Sequence, residues 1–330
     1  MKGELRTFCL ALFLFSSFIT AHSWRCRMVW EDEPCDNEHI KFFLYTRNNF
    51  DQVEQISMED FKEKIKDTHY DPTAPTKLLI PGQKENGDSE LLLNLKNEYL
   101  KKVQANVVLV DYSEIAPRFC YSTSVFNVRY VGKCVANFVQ GLKELANDKV
   151  LDLHVIGYRL GGHVPANVAP HLEPYKIPRI TGLDPSFPFS KFKLLVRSLN
   201  RENADFVDVV HTAGLLRDNY WPLGHVDVYV NGGAHLQPGC RKGWWLKDWI
   251  LANRCSHQRS LVYFTESVNS NTGFYGYACK SRLRAFWDLC SKNSTSVLIG
   301  DSVNTSLRGM FYVGTKSDAP FAMGNVDNSV

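Results

Sequence analysis

The sequence lacks the features that define several classes of protein. Its 330 residues carry a formal net charge of only +3, so a nucleic-acid-binding surface is not predicted. None of its nine cysteines has the C-x-x-C spacing of zinc or redox sites, and no metal or cofactor is expected. No apolar run reaches the roughly 20 residues that a transmembrane helix needs. The remaining composition, 44% hydrophobic and 22% charged, is that of a globular protein with a large core.

Residues 1–23 have the pattern of a secretory signal peptide. Lys2 precedes an apolar run from Phe8 to Phe15, and small residues follow around Ala21. A membrane anchor fits less well, because the run is shorter than a span requires. We therefore predict a secreted, extracellular protein whose mature part, residues 24–330, forms a single domain.

The cysteines agree with export. Eight remain after the predicted signal peptide, an even number that indicates disulfides formed in an oxidising compartment. They fall into neighbours along the sequence, and we expect local closure, although other connectivities are possible. The expected pairs are Cys26 with Cys35, Cys120 with Cys134, Cys240 with Cys255, and Cys279 with Cys290. Sequons at Asn293 and Asn304 would be glycosylation sites on surface loops.

The mature chain alternates between strand and helix patterns. Short apolar runs predict strands, and one long segment with apolar residues at helical spacing predicts a helix. The predicted strands are residues 39–46, 77–80, 107–110, 151–156, 179–183 and 206–211, and the predicted helix is 124–145. Because the intervening stretches are long enough for crossovers, the sheet is expected to be parallel in its middle. The predicted fold class is therefore α/β.

The most informative motif follows the strand at 151–156. Gly157 to Gly161 (GYRLG) has the glycine spacing of the G-x-S-x-G nucleophile elbow, a tight turn that presents a serine to the substrate. Here the central residue is Arg159. A guanidinium stays protonated in proteins and has no lone pair free to attack a carbonyl. The sequence thus predicts the turn without its nucleophile.

Further motifs extend over most of residues 24–330. They are HVIGYRLGGH, TGLDPSFP, FVDVVHT, GHVDVYVNGG, CSHQRS and FYVGTKSDAPFA. In these motifs the chain resembles the pancreatic lipase family of α/β hydrolases, in the compact form of insect neutral lipases and secreted phospholipases A1. The resemblance implies an α/β-hydrolase fold, with a mostly parallel central sheet, helices on both faces and a disulfide-linked lid loop. It also implies that the C-terminal β-sandwich domain of larger lipases is missing.

The resemblance places a Ser-Asp-His triad at Arg159, Asp184 and His257. Asp184 would orient His257, and His257 would be the general base. Taken alone, each residue has a plainer interpretation, since an Asp-Pro pair is commonly a turn and a histidine beside a disulfide is usually structural.

Two further departures from the family lie near Arg159. The oxyanion hole would use the backbone N–H groups of Gln83 and Leu160, but the family's His-Gly-aromatic segment is Pro81-Gly82-Gln83 here. Pro165 lies several residues into the next helix, where we expect it to remove a hydrogen bond and kink the helix. Drift after loss of catalysis would explain both changes.

The loop between Cys240 and Cys255 corresponds to the family's lid. It is too apolar for an ordinary exposed loop, and some of its apolar residues are spaced four apart, as on a helix. These residues are Trp244, Trp245, Leu246, Trp249, Ile250 and Leu251. Two alternatives stay open. Either the lid buries them over an inactive site, or it opens onto lipid.

From these features we predict a secreted, lipase-like protein that is catalytically inactive and binds a lipid, an acyl chain or a protein partner. One alternative is an active carboxylic-ester hydrolase, a phospholipase A1 or lipase with another nucleophile. Another is a storage protein without a specific ligand, similar to fly yolk proteins, which lack the serine. Arg159 is expected to pair with Asp184 and silence His257 or, less favoured, to hold a carboxylate or phosphate in the cleft.

Overall fold

The computed structural model describes most of the chain between residues 26 and 325. The described residues are 26–35, 38–83, 89–146, 151–185, 196–214, 220–233, 236–241, 243, 245–290 and 296–325. The expected signal peptide, the sequon at Asn293 and Trp244 of the lid lie outside them. Within these ranges, no helix has both the length and the apolar character needed to cross a membrane.

The described residues form an 11-stranded sheet with the order β10-β9-β11-β8-β7-β6-β5-β3-β4-β1-β2. The strands are β1 Lys41–Tyr45, β2 Glu54–Ile56, β3 Thr76–Ile80, β4 Asn106–Asp111, β5 Leu153–Tyr158, β6 Ile177–Leu183, β7 Ala204–His211, β8 Val226–Val230, β9 Phe274–Cys279, β10 Val297–Ile299 and β11 Gly309–Val313. The six predicted strands are confirmed as β1 and β3 to β7. The sequence interpretation missed the other five.

The sheet is parallel from β4 through β3, β5, β6, β7 and β8 to β11. The antiparallel pairs lie at its two ends. This confirms the expected parallel middle. Every residue of β5 is buried, as expected for a strand covered on both faces. Because parallel strands end at the same edge, the loops after β3, β5, β6, β7 and β8 meet at one carboxyl edge.

Helices cover both faces of this sheet. They are α1 Phe61–Lys64, α2 Glu90–Lys102, α3 Tyr121–Leu145, α4 Val164–Leu172, α5 Leu246–Asn269 and α6 Arg282–Phe286. One apolar core lies between the sheet and α3 and α4, and a second lies between the sheet and α2 and α5. The predicted helix 124–145 is α3, which begins three residues earlier. The α/β-hydrolase class expected from the sequence is confirmed.

Two of the four expected disulfides are wrong. Cys26 bonds to Cys120 and Cys35 bonds to Cys134, whereas Cys240–Cys255 and Cys279–Cys290 close locally as expected. Cys120 precedes α3 directly and Cys134 lies within it. At 1.5 Å per residue, a helix holds these two positions roughly 20 Å apart, whereas a disulfide needs Cα atoms within about 7 Å. Both cysteines therefore bond to the N-terminal segment instead.

That N-terminal segment lies along α3 and is fixed by more than its disulfides. The Asn127 side chain accepts a hydrogen bond from the Val29 amide at 2.9 Å and donates to the Arg27 carbonyl at 2.8 Å. Asn127 is completely buried, so these bonds are shielded from water. The segment is therefore an integral part of the fold.

Candidate active site

The turn after β5 has the geometry of a nucleophile elbow. Arg159 has a φ of 53°, a left-handed conformation that is strained for a residue with a side chain. A Cβ on Gly157 would lie 2.4 Å from the Gly161 carbonyl oxygen, and one on Gly161 would lie 2.1 Å from that of Pro81. Only glycine fits at either position. The backbone therefore keeps the elbow although its central residue is not a nucleophile.

The expected kink at Pro165 is wrong. Residues Arg159–His163 form a 3-10 turn, and α4 begins only at Val164. Pro165 therefore lies in the first turn of the α-helix, where its missing N–H has no intrahelical acceptor to lose. The substitution leaves the start of the helix intact.

Asp184 and His257 form a buried pair at the carboxyl edge of the sheet. Tyr158 of β5 lies opposite Leu183 of β6, so Arg159 and Asp184 directly follow neighbouring strand positions. Asp184 Oδ2 contacts His257 Nδ1, and both side chains are almost fully shielded from water. His257 Nε2, on the other side of the ring, has no hydrogen-bond partner among the described residues.

The expected pairing of Arg159 with Asp184 is wrong. Asp184 uses its second oxygen, Oδ1, to accept hydrogen bonds from the Thr212 amide at 3.1 Å and the Ala213 amide at 3.2 Å. Both carboxylate oxygens thus serve groups other than the guanidinium. His257 keeps its carboxylate partner, so the proposed silencing by internal pairing does not occur.

These contacts decide the charge of Asp184. Burial raises the pKa of this carboxyl, but the adjacent His257 and the Thr212 and Ala213 amides lower it by more, so the net pKa lies below its usual range. Asp184 therefore remains a carboxylate at neutral pH. The dyad has the charge and orientation that a general base requires.

The segment expected to supply the oxyanion hole lies against the elbow. A Cβ on Gly82 would lie 3.1 Å from Arg159 Cβ, so the two backbones approach closely. The Gln83 side chain points to the start of α3, where its Nε2 donates to the Pro117 carbonyl before the helix at 2.7 Å and to Ser124 Oγ in its first turn at 3.1 Å. The departure from the family pattern therefore tethers this segment, and Leu160, fully buried, follows Arg159 directly.

The lid is the beginning of a long helix. Helix α5 starts at Leu246, includes Cys255 and His257, and ends at Asn269. The lid's apolar side chains are exposed, with Trp245 76% accessible to solvent. The other exposed ones are Leu246, Trp249, Ile250 and Leu251. The alternative in which the lid buries these residues is therefore wrong for this structure.

Two contacts hold the lid helix in place. The Asp248 carboxylate accepts a hydrogen bond from the Trp245 amide at 3.0 Å, which caps the helix. The Arg241 guanidinium lies 4.3 Å from the centre of the Trp249 ring. The Cys240–Cys255 disulfide closes the base of this segment.

Comparison with known proteins identifies the family. A family model described as Lipase matches residues 18–321. The chain belongs to the lipase family. It is 33% identical over 262 residues to the pancreatic triacylglycerol lipase of Ictidomys tridecemlineatus, covering 74% of this chain and 54% of that protein. It is 31% identical over 283 residues to the lipoprotein lipase of Homo sapiens, covering 78% of this chain and 58% of that protein.

A third relative is pancreatic lipase-related protein 2 of Bos taurus, 31% identical over 270 residues, covering 76% of this chain and 55% of that protein. The chain thus spans about half the length of these curated relatives. The matches confirm the family that the sequence motifs implied.

The sequence interpretation missed a second layer of buried polar residues in this lipase-family site. His211 Nε2 hydrogen-bonds Asp227 Oδ1 at 2.8 Å, and both side chains are buried. The side-chain Nε2 of Gln237 donates to the Thr212 and Val230 carbonyls. The backbone N–H of Gln237 donates to Ser256 Oγ at 2.9 Å. These bonds join the ends of β7 and β8 to α5 beside His257. The only signal for His211, Asp227 and Ser256 was their position in the FVDVVHT, GHVDVYVNGG and CSHQRS motifs, and Gln237 lies outside all three.

His163, at the end of the elbow turn, makes the stability of the protein depend on pH. It is completely buried, its Nδ1 accepts a hydrogen bond from the Leu199 amide, and burial lowers its pKa to about 3. In the unfolded chain this histidine has a pKa of about 6.5, so the unfolded state binds the proton more readily. The contribution of neutral His163 to stability is therefore fully present above about pH 6.5. Below that pH it lowers the free energy of unfolding by about 1.4 kcal/mol per pH unit, down to about pH 3.

Urea unfolding at a series of pH values checks this expectation, with His163→Gln as the comparison. The variant is expected to show a shallower loss of unfolding free energy between pH 6 and 4. Equal slopes for the two proteins would mean that His163 takes up a proton in the folded state.

Proposed function

We propose that this lipase-family protein is exported, does not hydrolyse esters, and binds an acyl lipid in the cleft above the elbow. One observation carries the proposal: an arginine stands at the tip of an otherwise intact elbow. Arg159 adopts the left-handed conformation of the nucleophile position, beside the Asp184–His257 pair. The pair has a base and its carboxylate, but no hydroxyl or thiol at the tip to activate.

Loss of hydrolysis follows from the chemistry of the guanidinium. Arginine has five donors and no lone pair, so His257 cannot generate a nucleophile from it. Removing the serine of a related catalytic apparatus lowers kcat by about 10⁶-fold. The oxyanion-hole and base positions alone would leave turnover close to background.

Binding of an acyl lipid is supported by charge and by exposed apolar surface. Arg159 is half-buried at the carboxyl edge of the sheet, where it adds a positive charge to the turn before α4. The guanidinium is proposed to hold the carboxylate of a fatty acid or the phosphate of a phospholipid, groups whose geometry matches its paired donors. The exposed lid supplies apolar contacts for the chain.

Export is supported by the disulfides and by the N-terminal pattern. Four disulfides join the described cysteines, which suits an oxidising compartment. The sequon at Asn304 lies in an exposed segment before β11, as a glycosylation site requires. We propose that residues 1–23 are removed as a signal peptide.

A second candidate function is ester hydrolysis with a nucleophile other than residue 159. The observation that favours it is the intact Asp184–His257 pair, with Nε2 of His257 lacking a partner among the described residues. In that case the protein would act on carboxylic esters of lipids, as the names of its triacylglycerol-lipase relatives state for them.

Oleate binding and ester turnover, measured on the same preparations, test the proposal. The native protein is expected to bind oleate and to hydrolyse a short-chain ester only at the background rate. His257→Ala is expected to hydrolyse the ester at the same background rate. Arg159→Gln is expected to weaken oleate binding roughly 10- to 100-fold, because it removes a charge-assisted hydrogen-bond pair. Its effect on methyl oleate, which has no carboxylate, should be small.

Arg201→Gln is the matched control, because Arg201 is an exposed arginine in the turn before β7, at the opposite edge of the sheet from the elbow. It should leave oleate binding unchanged. Ester turnover by the native protein that disappears in His257→Ala would favour the second candidate. Equal oleate affinity for native and Arg159→Gln proteins would contradict the proposed role of the guanidinium.

A further inference from the structure

A second exposed apolar surface lies apart from the lid, on and around α6. It consists of four side chains that are each more than half exposed, and we call it the α6 patch. Its members are Trp221 (58%), Leu283 (64%), Trp287 (67%) and Leu289 (58%). Two tryptophans and two leucines together expose more apolar area than is usual for a protein surface that binds no partner.

The α6 patch rests on a small rigid core. Cys279 and Cys290 close the segment that carries α6, and beneath it Tyr220 and Tyr229 pack with Ala285. The Tyr220 hydroxyl donates to the carbonyls of Gly232 and Arg282 at 2.8 and 3.0 Å. The exposed side chains therefore extend from a fixed backbone, and little backbone entropy is lost when they are covered.

A shallow groove of about 400 Å³ runs between Trp221 and α6. Arg282 lies in it with its guanidinium carbon 3.2 Å from the centre of the Trp221 ring, while Phe286 packs edge-on to Trp287 at 4.9 Å. The groove thus has aromatic walls and a cation at its floor. Such a mixture of aromatic and cationic groups suits a boundary between water and an apolar phase.

The charges around the patch are mainly positive. The segment from Cys279 to Cys290 contains Lys280, Arg282 and Arg284 against one acidic residue, Asp288. Lys280 and Arg284 are exposed on either side of Leu283. Basic side chains beside exposed tryptophan and leucine are the composition of segments that bind anionic lipid surfaces.

The patch lies at the same edge of the sheet as the candidate active site. Residues Asn231–Gly233 follow β8 at its carboxyl end, and α6 packs on this turn so closely that a Cβ on Gly232 would lie 3.0 Å from Phe286 Cα. The elbow follows β5 at that same edge, because β5 and β8 belong to the parallel part of the sheet. A surface bound by the patch would therefore lie at the same edge of the sheet as the elbow.

We propose that the α6 patch is a docking surface for a phospholipid bilayer that contains anionic lipid. The two tryptophans and two leucines enter the headgroup region, and Lys280 and Arg284 contact the anionic headgroups. The charge complementarity and the apolar area together favour a membrane over a soluble polyanion, which would leave the four apolar side chains exposed. The inference rests on the proposed function only in taking the partner to be lipid, and it does not depend on Arg159.

Co-sedimentation with phosphatidylcholine vesicles, with and without roughly one part in five phosphatidylserine, tests this inference. The native protein is expected to bind the anionic vesicles more tightly. Leu283→Ser/Trp287→Ser should weaken binding to both kinds of vesicle by about tenfold or more, because it removes the inserted apolar groups. Lys280→Gln/Arg284→Gln should remove the preference for phosphatidylserine and the dependence on salt.

Trp30→Ser is the matched control, because Trp30 is also 58% exposed but packs beside Phe126 of α3. It should bind vesicles like the native protein. Brominated phosphatidylcholine should quench the tryptophan fluorescence of the native protein more than that of Trp287→Phe. This difference reports contact between Trp287 and lipid directly, even if the lid also contributes to vesicle affinity. Native-like binding by Leu283→Ser/Trp287→Ser, together with equal quenching, would overturn the proposal.

The proposal would also be overturned if only Lys280→Gln/Arg284→Gln weakened vesicle binding and a soluble sulfated polysaccharide competed with the vesicles. The vesicle experiment and the oleate experiment can succeed or fail independently. Leu283→Ser/Trp287→Ser should keep its oleate affinity, and failure of the cleft to bind oleate would leave the vesicle result unchanged.

Discussion

Replacing Arg159 with serine is expected to turn this protein into an ester hydrolase. The elbow backbone is already in the left-handed conformation at residue 159, and its flanking glycines already allow the close turn. Asp184 and His257 are paired and buried, with His257 Nε2 on the far side of the ring from the carboxylate. A serine at the tip would therefore complete a triad in which only the nucleophile is missing.

The expected gain is large but incomplete. A nucleophilic serine contributes about 10⁶-fold to kcat in a well-formed site, and loss of one oxyanion donor removes about 10²- to 10³-fold. Since Pro81-Gly82-Gln83 departs from the family's oxyanion segment, we expect Arg159→Ser to raise turnover of a short-chain ester about 10³- to 10⁴-fold above the native protein. Steady-state hydrolysis of a chromogenic ester measures this directly.

Two variants separate a restored triad from simple opening of the cleft. Arg159→Ala removes the same guanidinium without adding a hydroxyl, and should stay at background. Arg159→Ser/His257→Ala keeps the hydroxyl without the base, and should fall back to background. Activity in Arg159→Ala equal to that in Arg159→Ser would show that the cleft, and not a serine nucleophile, limits turnover.

Removing both N-terminal disulfides is expected to prevent folding. Cys26–Cys120 and Cys35–Cys134 have sequence separations of 94 and 99. In the chain-entropy model, a loop of about 100 residues constrains the unfolded chain by about 4.7 kcal/mol, against about 3 kcal/mol for a local loop, and a second, overlapping disulfide adds less because it closes a shorter remaining loop. With either disulfide intact, loss of the other costs about 3.5 kcal/mol, and loss of both costs about 8 kcal/mol. That is comparable to the whole unfolding free energy of a typical domain.

Unfolding in denaturant, compared among three Cys→Ser variants, checks these figures. The variants remove Cys26 with Cys120, Cys35 with Cys134, or all four cysteines. Removal of Cys279 with Cys290, whose separation is only 11, is the control and should cost about 3 kcal/mol. A four-cysteine variant that folds with a loss of only about 5 to 6 kcal/mol would instead fit two local loops. Mapping of the disulfide-linked peptides decides the pairing independently.

The disulfide error depended on where the helix begins. The helix predicted at 124–145 contains Cys134 but starts four residues after Cys120, which leaves the chain room to turn back. In the structure α3 begins at Tyr121, directly after Cys120, and the continuous helix separates Cys120 from Cys134 by far more than a disulfide can bridge. Proximity along the chain was therefore a poor guide, because helix formation had already fixed the distance between them.

The Pro165 error has a different origin. Counting from Arg159 as the first helical residue places the proline well inside a helix. The chain first makes a 3-10 turn through His163, so Pro165 falls in the first turn of α4. Turns of this kind depend on how the elbow packs against Pro81 and Gly82, and a single sequence does not show that contact.

The partner of Asp184 was also decided by tertiary contacts. From the sequence, the carboxylate at residue 184 could serve either Arg159, one strand away, or His257, far along the chain. The Thr212 and Ala213 amides after β7 occupy Oδ1, and α5 brings His257 to Oδ2. The choice depends on where α5 packs, which local patterns do not encode.

The α/β class, the parallel middle of the sheet and the glycine-flanked turn around Arg159 could be predicted from the sequence, because each depends on local spacing. Apolar periodicity sets the strands, and paired glycines set the turn. The long-range disulfides, the partner of Asp184, the exposed lid helix and the α6 patch became apparent only in the folded molecule. These features join residues far apart in the chain, and their geometry is set by how helices and loops pack around the carboxyl edge of the sheet.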